Sequence, residues 1–151
     1  MRQSGSGKGE LGPVKQVGVV VKDADKTMDY YSSLFGVGPW ETRELGSTAE
    51  DLKAGKRPWR VKLCFASLGP VQLELIQVLE GRTIHSRFLE SKGEGLHHLG
   101  FYVTDIEDKL TRLERQGTRI LLRGRGTAGT FAYLDTEAQG GVIFELIERA
   151  R

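Results

Sequence analysis

The sequence repeats itself, and the repeat leaves few folds open. Gln16-Val-Gly-Val-Val-Val-Lys-Asp23 matches His98-Leu-Gly-Phe-Tyr-Val-Thr-Asp105, so Gln16 aligns with His98, Gly18 with Gly100 and Asp23 with Asp105. Each match runs into a helical pattern that stops at a glycine, Gly36 or Gly117. The halves also close alike, with Glu74-Leu75-Ile76 against Glu145-Leu146-Ile147. Each half therefore reads as strand, helix, then three strands, which makes the chain α+β. The expected organisation is a flexible polar arm over 1–12, a first module over 13–79, a connection with a short helix over 80–94, and a second module over 95–149.

Local signals support each element. In the first strand Val17, Val19 and Val21 form one row and Val14, Gln16, Gly18 and Val20 the other, the period-2 pattern of a strand. Asp23 and Asp25 both suit the start of the helix that follows, in which Met28, Tyr31, Leu34 and Phe35 recur at helical spacing. Strands are expected over 40–45, 59–68 and 71–79, with a loop over 46–58 that is long enough to act as a lid. A short helix is expected from Thr83 to Leu89, with His85 exposed or at a rim. In Gly95–Val103, Leu99, Phe101 and Val103 form an apolar row, and Leu96, His98, Gly100 and Tyr102 form a mixed one. Adjacent strand residues point to opposite faces, so His98 is directed at a cavity and His97 away from it. A helix over 106–116 buries Ile106, Leu110 and Leu113. Strands follow over 119–123, 131–135 and 142–147, with a loop over 124–129, and Glu145 lies on the face opposite Phe144 and Leu146.

A pseudo-twofold between such halves brings equivalent positions together. The polar residues at those positions are Gln16, Glu74, His98 and Glu145. One amide oxygen, two carboxylates and one imidazole suit a divalent ion such as Mn²⁺, Co²⁺, Ni²⁺ or Zn²⁺, with positions left for water or substrate. Two carboxylates about 4 Å apart repel by ~4 kcal/mol at an effective dielectric of ~20, so a cation or a proton is needed between them. The rest of the composition narrows the options. A net charge of +2 from 22 basic and 20 acidic residues gives no reason to invoke nucleic acid. A single cysteine, Cys64, excludes an internal disulfide and a cysteine-based zinc site. No apolar run is long enough to span a bilayer, and no signal-type segment opens the chain, so a cytoplasmic protein is expected.

From Val14 to Glu148 the chain resembles the vicinal-oxygen-chelate (glyoxalase/bleomycin-resistance/dioxygenase) superfamily. Gly95-Leu-His-His98-Leu-Gly-Phe and Val-Gly38-Pro-Trp40-Glu resemble its methylmalonyl-CoA epimerase branch most. The resemblance implies two βαβββ modules forming an eight-stranded cup-shaped sheet with helices outside, and a metal at its floor on Gln16, Glu74, His98 and Glu145. It implies proton transfer through a metal-stabilised enolate, with Glu145 as carboxylate base and Glu44 as the second acid/base. The epimerases usually carry His at the first ligand position and Gln at the second; the set here is the one found in zinc-type glyoxalase I. A glyoxalase I-type lactoylglutathione lyase is therefore the alternative, and a metal-free binding or resistance protein is a third reading. An extradiol dioxygenase fits less well, because Gln16 replaces its first histidine. The substrate implied is an acyl-CoA thioester or a glutathione adduct, with Lys53, Lys56, Arg57, Arg60, Arg87, Arg123 and Arg125 available to meet phosphates. A homodimer is the expected assembly.

Overall fold

A computed structural model describes residues 11–126 and 128–151. The expected arm over 1–12 therefore lies outside the described residues except for its last two. Among the described residues are eight strands and five helices: β1 (Gln16–Val20), α1 (Ala24–Phe35), β2 (Glu41–Gly46), α2 (Ala49–Lys53), β3 (Arg60–Leu68), β4 (Val71–Glu80), α3 (Ile84–Lys92), β5 (Gly95–Tyr102), α4 (Ile106–Arg115), β6 (Ile120–Gly126), β7 (Gly129–Leu134), α5 (Glu137–Gly140) and β8 (Ile143–Arg149). The fold class is α+β. The strands belong to one eight-stranded sheet in the order β2-β3-β4-β1-β5-β8-β7-β6. The chain divides within β5 into two compact units, Gln16–His98 and Leu99–Arg151, the second including 11–15.

In the Gln16–His98 unit, β1 runs parallel to β4, while β2, β3 and β4 are successively antiparallel. Paired residues share a face, so the register sorts the side chains. Leu73 and Leu75 of β4 with Cys64 of β3 pack under α1, against Ala24, Met28 and Tyr31. The other face carries Val20, Leu63, Phe65 and Ile76, closed by Phe88 and Leu89 of α3. Gln16, Gln72 and Glu74 stand on that second face, in register with Gly18 and Ile76 as the period of two requires. Helix α1 starts where Asp23, in extended conformation, accepts a hydrogen bond from the Lys26 N–H, and it ends at Gly36 in the left-handed region. Its apolar spacing is only partly used. Leu34 and Phe35 are 61% and 67% exposed, and the Phe35 ring meets Tyr30 edge-on at 6.2 Å on the outer surface.

The expected loop over 46–58 contains α2. Thr48 and Asp51 form a reciprocal capping box there, a signal that five helical residues were too few to make visible as periodicity.

In the Leu99–Arg151 unit the order is β5-β8-β7-β6. Phe101, Ile106, Leu110, Ala132, Leu134 and Leu146 form the core, with α4 supplying Ile106 and Leu110. Strand β6 continues through Gly124 to Gly126, where a loop was expected. Gly124 has no side chain because the Phe131 ring lies directly over it, and β pairing carries on across that contact. Thr127, the remaining part of that loop, lies outside the described residues.

Candidate metal centre

His98 is fully buried and sits in β5, where the ring lies over Gly18 of β1. Any side chain at position 18 would collide with the imidazole, so the glycine is what admits the histidine to this face. Two oxygens converge on one nitrogen of the ring. Gln16 Oε1 lies 3.2 Å from His98 Nε2, and Glu74 Oε2 lies 3.2 Å from the same atom. Gln16 and Glu74 are each 7% exposed.

The amide of Gln16 is oriented by a neighbour. Gln72, its register partner on β4, accepts a hydrogen bond from Gln16 Nε2 at 2.9 Å. Using the NH₂ end in this way leaves the amide oxygen, the only ligating atom of a glutamine, toward His98. Gln72 is absent from the candidate set read in the sequence. Its signal was present: it stands two residues before Glu74, on the same strand face.

The expectation that His97 points away from the site is corrected here: its Nδ1 lies 3.0 Å from Nδ1 of His98, and its ring packs on Phe88, which closes the face that carries Glu74. His97 is 1% exposed and packs edge-on to Phe88 of α3, with ring centroids 5.1 Å apart at 84°. His85 tilts against it at 4.9 Å. The expectation of an exposed His85 is corrected here: the residue is 8% exposed. Its helix begins at Thr83, which accepts from the Ser86 N–H, and this phase places His85, Phe88 and Leu89 at i, i+3 and i+4 on one inward face. Burial holds both imidazoles neutral. Desolvation pulls His85 down to about 3 and His97 down to about 2, with smaller contributions from the neighbouring histidines.

Glu145 is 6% exposed in β8. Register pairs it with Tyr133 of β7, and it stands on the face opposite the α4 core residues Ala132, Leu134 and Leu146. Glu74 stands in the same way relative to α1, so the two carboxylates occupy corresponding positions in the two units.

Glu44 does not share that face. Register aligns it with Lys62 of β3 and, through Lys62, with Gln77 of β4. That is the α1 side, where Lys62 reaches Asp25 at 2.6 Å and Gln77 accepts from the Ala24 N–H. Glu44 is about half exposed and pairs with Arg60 at 3.1 Å. The residue of β2 in line with Phe65 and Glu74 is Glu41. Of the basic residues proposed for phosphates, Lys56 pairs with Asp51, Arg60 with Glu44 and Glu80, and Arg123 with Glu107 and Glu114.

These residues fit a divalent cation. One amide oxygen and one carboxylate oxygen each lie within hydrogen-bond range of the same imidazole nitrogen, and the hard, mixed O/N set is of the kind such ions take. Among the described residues no helix is long and apolar enough to cross a membrane.

Known proteins agree with this architecture. A family model described as the glyoxalase/bleomycin resistance protein/dioxygenase superfamily matches residues 15–133. The uncharacterized protein YqjC of Bacillus subtilis (strain 168) is 28% identical over 135 residues, covering 87% of this chain and 89% of that protein. The crystal structure of methylmalonyl-CoA epimerase from Mycobacterium tuberculosis superposes with a TM-score of 0.72 at 22% identity, over 97% of this chain and 93% of that one. A variant of the Streptomyces coelicolor methylmalonyl-CoA epimerase in complex with 2-nitronate-propionyl-CoA gives 0.74 at 22% identity, over 93% and 99%. A hypothetical protein, BH1468 from Bacillus halodurans C-125, gives 0.69 at 20% identity, over 92% and 95%.

Proposed function

This chain belongs to the glyoxalase/bleomycin resistance protein/dioxygenase superfamily, and from that premise we propose that it is a divalent-metal-dependent proton-transfer enzyme of the methylmalonyl-CoA epimerase kind, acting on an acyl-CoA thioester. The observation that carries the reading is the convergence of Gln16 Oε1 and Glu74 Oε2 on His98 Nε2, each at 3.2 Å. Glu145 is the fourth ligand. It is the repeat counterpart of Glu74, and Glu74, His98 and Glu145 are all buried residues with a ligand atom to offer. A divalent ion held there, Co²⁺, Ni²⁺, Zn²⁺ or Mn²⁺, would act as a Lewis acid toward an oxygen next to the acidic C–H.

The residues of the chain do the rest. Glu145 takes the proton from the carbon beside the carbonyl. Epimerisation then needs a proton from the opposite face of the planar intermediate. For that step we propose Glu41 over Glu44: Glu41 is in register line with Phe65 and Glu74, and its side chain, 73% exposed, pairs with Arg43 at 3.6 Å. The apolar residues Leu63, Phe65 and Ile76 share that face with the buried Glu74, which strengthens electrostatic interactions around its carboxylate. We place the protein in the cytoplasm as a homodimer. A second reading is a glyoxalase I-type lyase acting on a glutathione adduct. It is favoured by the ligand set itself, in which Gln16 and Glu74 replace the His and Gln usual in the epimerases.

The test is proton exchange followed by NMR on Co²⁺-loaded protein in D₂O, with methylmalonyl-CoA and the methylglyoxal–glutathione hemithioacetal as parallel substrates. Deuterium entering carbon 2 of methylmalonyl-CoA is the expected result, and Glu145→Gln should abolish it with the fold intact. Formation of the lactoyl thioester would transfer the assignment to the second reading. No reaction with either substrate while metal stays bound would overturn both substrates in favour of another carbonyl compound with an acidic neighbouring C–H, and loss of metal as well would favour a binding protein.

A further inference from the structure

The chain has three histidines, and all three are buried in the Gln16–His98 unit. The proposed reaction uses only His98. That ring directs Nε2 toward Gln16 Oε1 and Glu74 Oε2. Its other nitrogen, Nδ1, lies 3.0 Å from Nδ1 of His97, and the two rings stand at 89° to each other.

A neutral imidazole carries one N–H, and a metal binds the nitrogen that lacks it. With Nε2 as the ligand atom, the proton of His98 resides on Nδ1. Two N–H groups cannot form a hydrogen bond with each other, so His97 must then turn a lone pair toward it. We propose that His97 is the positioning residue for the metal-ligating His98: its Nδ1 accepts a hydrogen bond from the His98 Nδ1–H and so holds His98 in the tautomer and ring orientation that ligation through Nε2 requires. This rests on the metal reading given above. It assigns a role to the one neighbour that simple strand alternation sends away from the site. A ligating histidine commonly gives its second N–H to a carboxylate, a backbone carbonyl or water; here a neutral ring takes that place. His97 is itself fixed, edge-on to Phe88 and tilted against His85, so the acceptor is anchored by packing as well as by its bond to His98.

The experiment uses the full chain, ¹⁵N-labelled and loaded with Zn²⁺, and reads imidazole tautomers by long-range ¹H–¹⁵N correlation. The expected pattern is a protonated His98 Nδ1 with Nε2 bound to zinc, and a His97 whose proton is on Nε2. Zinc affinity, measured against a chelating dye, should fall about 10–100-fold in His97→Phe, which keeps an aromatic ring against Phe88 and removes the acceptor. His97→Asn keeps an accepting oxygen and should retain more of the affinity. A His97 protonated on Nδ1, zinc bound through His98 Nδ1, or unchanged affinity in His97→Phe would each overturn the assignment. If His97→Phe does not fold, the tautomers of the unmodified protein decide. If the unmodified protein binds no zinc, the metal reading and this inference fall together. If it binds zinc with the tautomers reversed, this inference alone falls.

Discussion

The two units close the N-terminus of their principal helix at the same place with different chemistry. In the Gln16–His98 unit Asp23 caps α1 itself, accepting from the Lys26 N–H at 3.1 Å, and neutral Gln77 on β4 accepts from the Ala24 N–H at 2.8 Å. In the Leu99–Arg151 unit Asp105 stands in the left-handed region at φ 52 and makes no side-chain cap. Glu148 on β8 accepts there from both the Asp105 and Ile106 N–H groups, at 3.0 and 3.2 Å. Gln77 and Glu148 are repeat equivalents, three residues after Glu74 and Glu145. An odd separation along a strand means opposite faces. The same strand thus sends a carboxylate to one side and a helix cap to the other. What the two units share is a carboxylate that accepts from N–H groups at each helix N-terminus, where the dipole favours negative charge. Which residue carries the charge is interchangeable; where the strand puts it is not.

The comparison can be broken most directly in the cores. Leu75 and Leu146 are repeat equivalents and both are fully buried, so Leu75→Ala and Leu146→Ala should each cost about 2–5 kcal/mol in denaturant unfolding. A large difference between them would mean that the units do not pack their sheets alike.

The caps come next. Glu148→Ala removes a charged acceptor from two N–H groups and should cost about 1.5–3 kcal/mol, against about 1 kcal/mol for Gln77→Ala. Equal losses would remove the distinction drawn here between the two caps.

Acid should also separate the units, since all three histidines lie in one of them. Burial holds His85 at about 3 when folded, below an unfolded value of about 6.5. The folded state then binds fewer protons, so the contribution of His85 to stability is complete above pH 6.5 and declines as pH falls toward 3. Protection factors in β1 and β4, which correct for the intrinsic slowing of amide exchange in acid, should fall on acidification from pH 7 to 5, by up to about tenfold per pH unit for each such histidine, ahead of those in β7 and β8. His85→Phe should reduce the lead, leaving the part that His97 contributes. A parallel fall in both units would contradict this.

The smallest effect is a gain. Asp105→Gly relieves a left-handed backbone and loses no side-chain cap, so the melting temperature should rise, by the equivalent of about 1 kcal/mol at most. Asp23→Gly should lower it.

Much of this was written locally. The period of two in β1, β4 and β8, a cap at Asp23 or Asp25 and the stop at Gly36 each depend on residues close in sequence; the strands form, Asp23 is the aspartate that caps, and Gly36 ends the helix. The same periodicity placed Gln16, Glu74 and His98 on one face, because side-chain direction along a strand follows from counting. Counting does not fix how strands align with one another. The face of Glu44 depended on the β2–β3–β4 register, and that register put it beside Lys62 and Gln77 on the helix side and put Glu41 in line with Glu74. The burial of His85 depended on α3 packing over Val20 and Ile76, in a stretch whose own composition reads as solvent-facing. The sequence by itself determined the elements, their duplication and the residue types able to hold a cation, since these follow from short-range sterics and periodicity. Tertiary structure alone decided which neighbour orients Gln16, which nitrogen of His97 meets His98, and which acidic residue of β2 is in line with Glu74, because each is set by contacts between strands and helices that adjacent residues do not encode.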